Sequence, residues 1–326
     1  MGKASGQARP FLKWAGGKGG LLPQLRRYYP PDAGRLRRYV EPFVGSGAVF
    51  FDLVARTDLN LEDIVLLDRN PVLIAAYRVL QQDPEPVIAI LEDWQARYWE
   101  ADTSARRDLY YAIRAAFNAG LHVPGQEVLS TARLIFLNRT GFNGLFRVNR
   151  RGEFNVPPGR YGHPRILDAA NLRAVHRVLQ GVTLLSGDFR QTLTFLNAES
   201  WVYCDPPYRP LGATAAFTAY AADAFGEEEQ RALASWARAA ATRGTRVMIS
   251  NSDPRNNDPT DRFFENLYAG FVISRIQARR TINARADRRG PITELVITSY
   301  YPSGGEPLPG RNPQPAVPAS RSLVRP

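Results

Sequence analysis

The sequence predicts an α/β fold built on an open, Rossmann-like sheet. Three observations predict it. Residues 38–68 read as strand, glycine turn, helix and second strand, the unit from which parallel sheets are wound. Further short apolar strands, at 182–185, 201–203, 247–250 and 295–300, are separated by helical stretches long enough to serve as crossovers. Three of the strands run out into acidic residues, Asp68, Asp188 and Asp205, at the carboxyl ends where such sheets build ligand sites.

Composition narrows the class. At 326 residues the chain can bury one large domain or two smaller ones. No apolar run reaches 18 residues, so no membrane span is expected, and Met1–Arg9 is polar and unlike a signal peptide. A single cysteine, Cys204, excludes an internal disulfide framework and a cysteine-based zinc cluster, and fits a reducing cytoplasmic setting. The three histidines, 122, 163 and 176, have no metal-ligand spacing, so no metal is expected. The formal net charge is +11, and arginine supplies all but three of the 42 basic residues. A chain this basic invites a polyanionic partner, without deciding between nucleic acid, ribosome and membrane surface.

In chain order, the first marked stretch is Phe11–Lys18, F-L-K-W-A-G-G-K, with Lys13 and Lys18 beside the Trp14 indole and glycines that let backbone approach a ligand. The strand at 38–43 carries Glu41 and Phe43 and leads into Gly45-Ser46-Gly47 and a helix. Asp68 lies 21 residues beyond Gly47, where an acid commonly binds ribose hydroxyls. A dinucleotide fingerprint wants a third glycine three places after Gly47, and Phe50 stands there instead. The loop therefore suits a nucleoside cofactor without a pyrophosphate, S-adenosylmethionine being the usual one. Asn70-Pro71 caps and starts the next helix, and residues 84–120 are helical in pattern.

Residues 133–165 change character. Seven arginines face a single acid, Glu153, and Phe136, Phe142, Phe146, Phe154 and Tyr161 are interleaved. Asn149-Arg150-Arg151-Gly152 predicts the turn of a hairpin joining 145–148 to 153–156. Arginine grips phosphates and guanine edges, and an aromatic or proline fills the gap left by a displaced base, so this is a candidate nucleic-acid reader, with a solvated loop as the alternative. Asp188 and Phe189 follow the strand at 182–185 and are placed to bond and stack a flat ring. Then comes Y-C-D-P-P-Y, Tyr203–Tyr208. Asp205, the carbonyls of Pro206 and Pro207, and the Tyr208 ring make a pocket for a flat molecule bearing an amino group. The loop 209–226 is long enough to close over a site. Residues 227–243 form an amphipathic helix, 275–289 are a second basic stretch, and 302–326, rich in Pro, Gly and Ser, read as disordered. Cys204, inside an apolar strand, reads as a buried structural thiol.

F-L-K-W-A-G-G-K, E-P-F-V-G-S-G, L-D-R-N-P, N-R-T-G-F-N-G-L-F-R, R-G-E-F-N-V-P-P-G-R-Y and Y-C-D-P-P-Y occur in this order, and with them the chain resembles the Dam-type (D12 class) DNA N6-adenine methyltransferases from Phe11 to Tyr300. The resemblance implies a class I methyltransferase fold with a mixed seven-stranded sheet, and a smaller, mostly helical target-recognition domain carrying a hairpin. The expected division is 1–78 with 166–301 as catalytic domain and 79–165 as recognition domain. It implies that Trp14, Lys18, Phe43, Gly45, Asp68 and the Asp188–Phe189 region bind S-adenosylmethionine, with Glu41 and Gly47 beside them. Asp205, Pro206, Pro207 and Tyr208 would hold a flipped adenine in double-stranded DNA. Lys13, Leu145 and Arg147 resemble base-reading residues of members that read G-A-T-C. Phe142 and Pro157 resemble residues near the vacated stack, and Arg139, Asn143 and Asn149 complete the expected DNA contacts. Cytosine-N4 transfer, an inactive DNA binder and a nucleotide-dependent oxidoreductase are the alternatives. A partner restriction endonuclease is neither required nor excluded by these motifs.

Overall fold

The computed structural model describes residues 7–121, 123–209, 225–279 and 291–303. The strands are β1 (Arg38–Glu41), β2 (Asp63–Asp68), β3 (Thr183–Ser186), β4 (Ser200–Cys204), β5 (Arg246–Ser252), β6 (Val272–Arg279) and β7 (Pro291–Thr298). They form one sheet in the order β3-β2-β1-β4-β5-β7-β6. The first five are parallel, and β7 runs antiparallel between β5 and β6. The order reverses between β1 and β4, so the crevice outside their carboxyl ends is the place for a ligand.

Side chains alternate across the sheet as strand geometry requires. Tyr39, Leu66, Trp201, Tyr203 and Met248 face one core, and Val40, Val65, Val202, Cys204 and Ile249 face the other. Both faces are covered, which is why these strands read as continuous apolar runs. The second core is closed by α8 (Glu227–Thr242) through Leu233 and Trp236.

The first core continues without a break into a helical layer. It comprises α3 (Pro71–Gln82), α4 (Glu85–Glu100), α5 (Thr103–Gly120), α6 (Glu127–Thr140) and α7 (Ala169–Leu179). Asn70 caps α3 by accepting from Val72 and Leu73 amides, as its sequence predicts. The helical stretch 84–120 is two helices, because Asp102 stops one and caps the other through the Ala105 amide at 2.8 Å.

One expectation changes, and two basic stretches gain a structure that their sequence did not declare. The first residues of the stretch 133–165 belong to α6. That helix is buried nearly all round by Ala132, Leu134, Ile135, Phe136 and Leu137, so no amphipathic stripe announces it. The hairpin has its turn but no continuous ladder. Its pairing consists of isolated bridges, Val148 with Phe154 and Gly141 with Pro158. Helix α5 takes the outer arm's backbone groups instead: Asn118 bonds both N–H and C=O of Phe154, and the Tyr110 hydroxyl donates to the Val156 carbonyl at 2.9 Å. Pro157 and Pro158 then have no N–H to extend it. Finally, the start of the second basic stretch is edge strand β6, whose Ile273, Ile276 and Ala278 turn inward while Arg275 is neutralised by Asp253 and Glu265 at 2.7 and 2.6 Å. Most of the expected closing loop 209–226 (residues 210–224), the rest of that basic stretch and the tail beyond residue 303 lie outside the described residues.

Candidate active site

The carboxyl ends of β1, β2 and β4 open into a cleft of about 680 Å³, within the range of small-molecule sites. Trp14, Lys18, Glu41, Phe43, Gly45, Asp68, Asp188, Phe189, Asp205, Pro206, Pro207 and Tyr208 all line it. Residues from five separate stretches of sequence thus meet in one place.

One lobe of the cleft is a glycine turn facing carboxylates. Gly45 and Gly47 have φ of +47° and +68°, in the left-handed region. A Cβ on Gly45 would stand 2.9 Å from the Trp14 ring, and one on Gly47 2.8 Å from the Tyr77 hydroxyl. Asp68 accepts the Gly45 amide at 3.0 Å and the Asn70 amide at 2.9 Å, which ties the end of β2 to the glycine turn. Burial nevertheless pushes its carboxyl up. Glu41, buried at the end of β1, is bonded by the Tyr39 hydroxyl at 2.8 Å, and desolvation pushes its carboxyl up to about 8. Phe43 and Phe189 pack at 5.5 Å as an aromatic wall, with Asp188 exposed at its rim beside Arg190. Phe50, in the place of a third glycine, is fully buried in helix α2 (Ala48–Leu53) and belongs to the core.

The other lobe is the D-P-P-Y corner. Asp205 follows β4 directly. The Lys18 ammonium reaches it at 2.6 and 2.7 Å through its two oxygens, and also bonds the Tyr208 hydroxyl at 3.1 Å and the Gly16 carbonyl at 2.9 Å. Burial pushes the Asp205 carboxyl up, and the Lys18 charge and hydrogen bond pull it back. Tyr208 keeps over a third of its surface exposed beside the cleft. Two residues without a sequence signal support this corner. Gln230 of α8, fully buried, donates to the Pro207 carbonyl at 3.1 Å and is itself held by Asn251 of β5. Glu294 of β7 lies 3.9 Å from the Lys18 ammonium. Cys204 is buried and its thiol is pushed well up by desolvation, as a structural thiol should be.

The basic segment sits against the cleft through Phe11–Trp14. Trp14 stacks on Phe146 at 5.5 Å. Asn138 bonds both the N–H and the C=O of Lys13. Arg139 is largely buried and donates to the Phe11 carbonyl at 2.8 Å, so it clamps this junction. Phe142 is half exposed, its amide bonded to the carbonyl of exposed Pro157. Asn143 is exposed at φ +54°, and Leu145 is half-buried against the core. Arg147 is exposed and bonded to Asn155, while Asn149 closes the turn by accepting from Arg151 and Glu153 amides. The Lys13 ammonium is 5.5 Å from the Tyr161 ring. Lys13, Phe142, Asn143, Arg147 and Pro157 are therefore presented outward, whereas Arg139 and Asn149 are committed to the fold.

A model of the D12 class N6 adenine-specific DNA methyltransferase family matches residues 14–282. The chain belongs to this family. Among similar proteins, the type II methyltransferase M.MjaIII of Methanocaldococcus jannaschii is 40% identical over 297 residues, 90% of this chain and all of that one. The DNA adenine methylase of Vibrio cholerae is 36% identical over 289 residues, 88% and 95% of the two chains, and that of Escherichia coli is 34% identical over 88% and 94%. Membership of an adenine-specific family disfavours the cytosine and oxidoreductase alternatives, and implies an S-adenosylmethionine-dependent reaction. Among the described residues of this adenine methyltransferase, no helix is long and apolar enough to cross a membrane, and no three His, Cys, Asp or Glu are grouped to hold a metal ion.

Proposed function

We propose that this chain transfers a methyl group from S-adenosylmethionine to N6 of an adenine flipped out of duplex DNA, at G-A-T-C. The observation that supports the reading is that Asp205–Tyr208 line one cleft with the glycine turn, Asp68 and Trp14, and that Trp14 stacks on Phe146 of the basic segment. The residues fit the cofactor: a glycine turn in which Gly45 lies too close to Trp14 for a Cβ, Asp68 and Glu41 for its hydroxyl and amino groups, and the Phe43–Phe189 wall for its purine. When bound, the cofactor supplies an electrophilic methyl group on a sulfonium.

The rest is the work of the chain. The lone pair of the adenine amine is conjugated into its ring, so attack requires that nitrogen to approach tetrahedral geometry. Asp205 and a main-chain carbonyl beside Pro206 accept its two N–H bonds and stabilise charge where it develops, and the methylated nitrogen then sheds one of those two protons to give the neutral product. Tyr208 stacks on the base and holds it in line. Gln230 fixes the Pro207 carbonyl and so the angle of the proline corner. Residues 79–165 serve as the recognition domain, with Lys13, Leu145 and Arg147 reading base edges and Phe142 and Pro157 filling the vacated stack. The setting is cytoplasmic, and a restriction endonuclease need not accompany the enzyme.

The test is label from S-adenosylmethionine offered with two duplexes, one carrying a single G-A-T-C and the other G-T-A-C. Label in N6-methyladenine on the first alone is expected. Equal labelling would remove the sequence assignment, and no label on either would remove the activity.

A further inference from the structure

We infer that Glu294 is a positioning residue: its unpartnered carboxylate oxygen is the second berth for the Lys18 ammonium, which must leave Asp205 when the target base arrives. The inference rests on the adenine-pocket reading and deepens it.

The starting point is a conflict at Asp205. The carboxylate that is to accept the adenine amine already holds a buried ammonium with both oxygens. Lys18 is only 3% exposed, and its three N–H bonds go to Asp205, the Tyr208 hydroxyl and the Gly16 carbonyl. The ammonium already draws on both Asp205 oxygens, so a base amine competes with Lys18 for them and gains the better-aligned bond when the ammonium gives way. A buried ammonium stripped of its counter-ion is strongly unfavourable, so base entry needs another anion within a small movement.

Glu294 is placed for this. It stands on β7, in register with Ser252 of β5 and Ile276 of β6. Because β7 runs antiparallel, the start of that strand lies on the edge where the parallel strands end, which brings its carboxylate to the D-P-P-Y corner. The side chain is 13% exposed and its Oε2 is buried without a hydrogen-bond partner among the described residues. That oxygen is the one 3.9 Å from the Lys18 Nζ, too far for a hydrogen bond and close enough to attract. A swing of about 1 Å by the ammonium closes the gap to bonding distance. The Glu294 carboxylate also interacts with the Tyr208 hydroxyl, so the ammonium moves between anions that share one phenol. Burial holds the Glu294 carboxyl above its ordinary range, the Lys18 charge draws it down and the Asp205 charge pushes it up, so the three groups feel one another. An orphaned buried carboxylate oxygen is otherwise an unexplained cost.

The experiment uses the full chain, S-adenosylhomocysteine and a G-A-T-C duplex with 2-aminopurine at the target adenine, whose fluorescence rises when it leaves the stack. Glu294→Gln keeps the shape and removes the charge. The expected result is a roughly tenfold weaker flipping equilibrium, the scale of 1.4 kcal/mol, with unchanged duplex affinity. Glu294→Asp should recover part of it. In a Lys18→Met background, where no ammonium needs a berth, Glu294→Gln should have no further effect. Equal losses in both backgrounds, no loss in either, or failure of Asp to recover anything would overturn the inference. Wild-type enzyme that methylates the adenine duplex but shows these adverse outcomes leaves the proposed function intact, whereas wild-type enzyme that neither flips nor methylates overturns both.

Discussion

At the scale of single residues, the site is a set of carboxylates that burial makes reluctant to ionise. Glu41 is the extreme case, pushed up to about 8 from an ordinary 4.5 by desolvation. The native protein therefore keeps its proton between those values while the unfolded chain has lost it. Stability then falls as pH rises through that window, by up to ~1.4 kcal/mol per unit. Glu41→Gln should remove this slope, and denaturant midpoints of the two proteins between pH 5 and 8 will show whether their difference narrows and reverses as pH rises. Asp205 carries the chemistry, so Asp205→Ala should lower methyl transfer by at least ~10²-fold, the scale of losing one preorganised polar partner. Duplex affinity should hardly change, because the charge available to phosphates lies on the outward-facing basic segment. Near-normal transfer by that variant would remove Asp205 from its role.

At the scale of elements, the cleft depends on how strands end. β2 hands over to α3 through Asp68 and Asn70, one tying the glycine turn and the other capping the helix. Asn70→Ala should cost about 1 kcal/mol, read as a lower midpoint in urea with unchanged slope. A larger loss, with weaker cofactor binding in calorimetry, would mean that the cap also holds Asp68 in place. β4 ends in prolines that cannot continue the ladder, and that abrupt stop leaves Asp205 at the mouth of the cleft. β7 reverses direction and delivers Glu294 to the same edge from a part of the chain with no motif of its own.

At the scale of the molecule, charge and layout divide the work. The excess of +11 is carried by arginine, and the stretch beyond α6 presents Arg147, Arg150 and Arg151 to solvent. DNA affinity should fall steeply with salt. Replacing Arg150 or Arg151 by Ala should reduce the slope of log affinity against log salt by about 1 for each phosphate that the arginine neutralises. Titrations by fluorescence anisotropy across salt concentrations will give that slope, and an unchanged value would place these arginines off the DNA path.

The sequence by itself determined the α/β class, the strand ends and most of the cleft. Each of these is written locally: a glycine pair that needs positive φ, an Asn-Pro helix start, two prolines after an apolar strand. Trp14, Lys18, Glu41, Phe43, Asp68 and Asp205 were legible because each sits in such a punctuated stretch. Tertiary structure alone decided the rest. Helix α6 was hidden because a helix buried all round has no stripe, and β6 because its arginine is neutralised by acids distant in sequence. The hairpin lost its ladder to side chains of α5, a competition that no local pattern records. Arg139 and Asn149 looked like DNA contacts and became a clamp and a turn. Gln230 and Glu294 had no signal, since their meaning lies in partners 23 to more than 200 residues away. Local chemistry marks where a chain can bind; only packing decides which distant charge stands beside it.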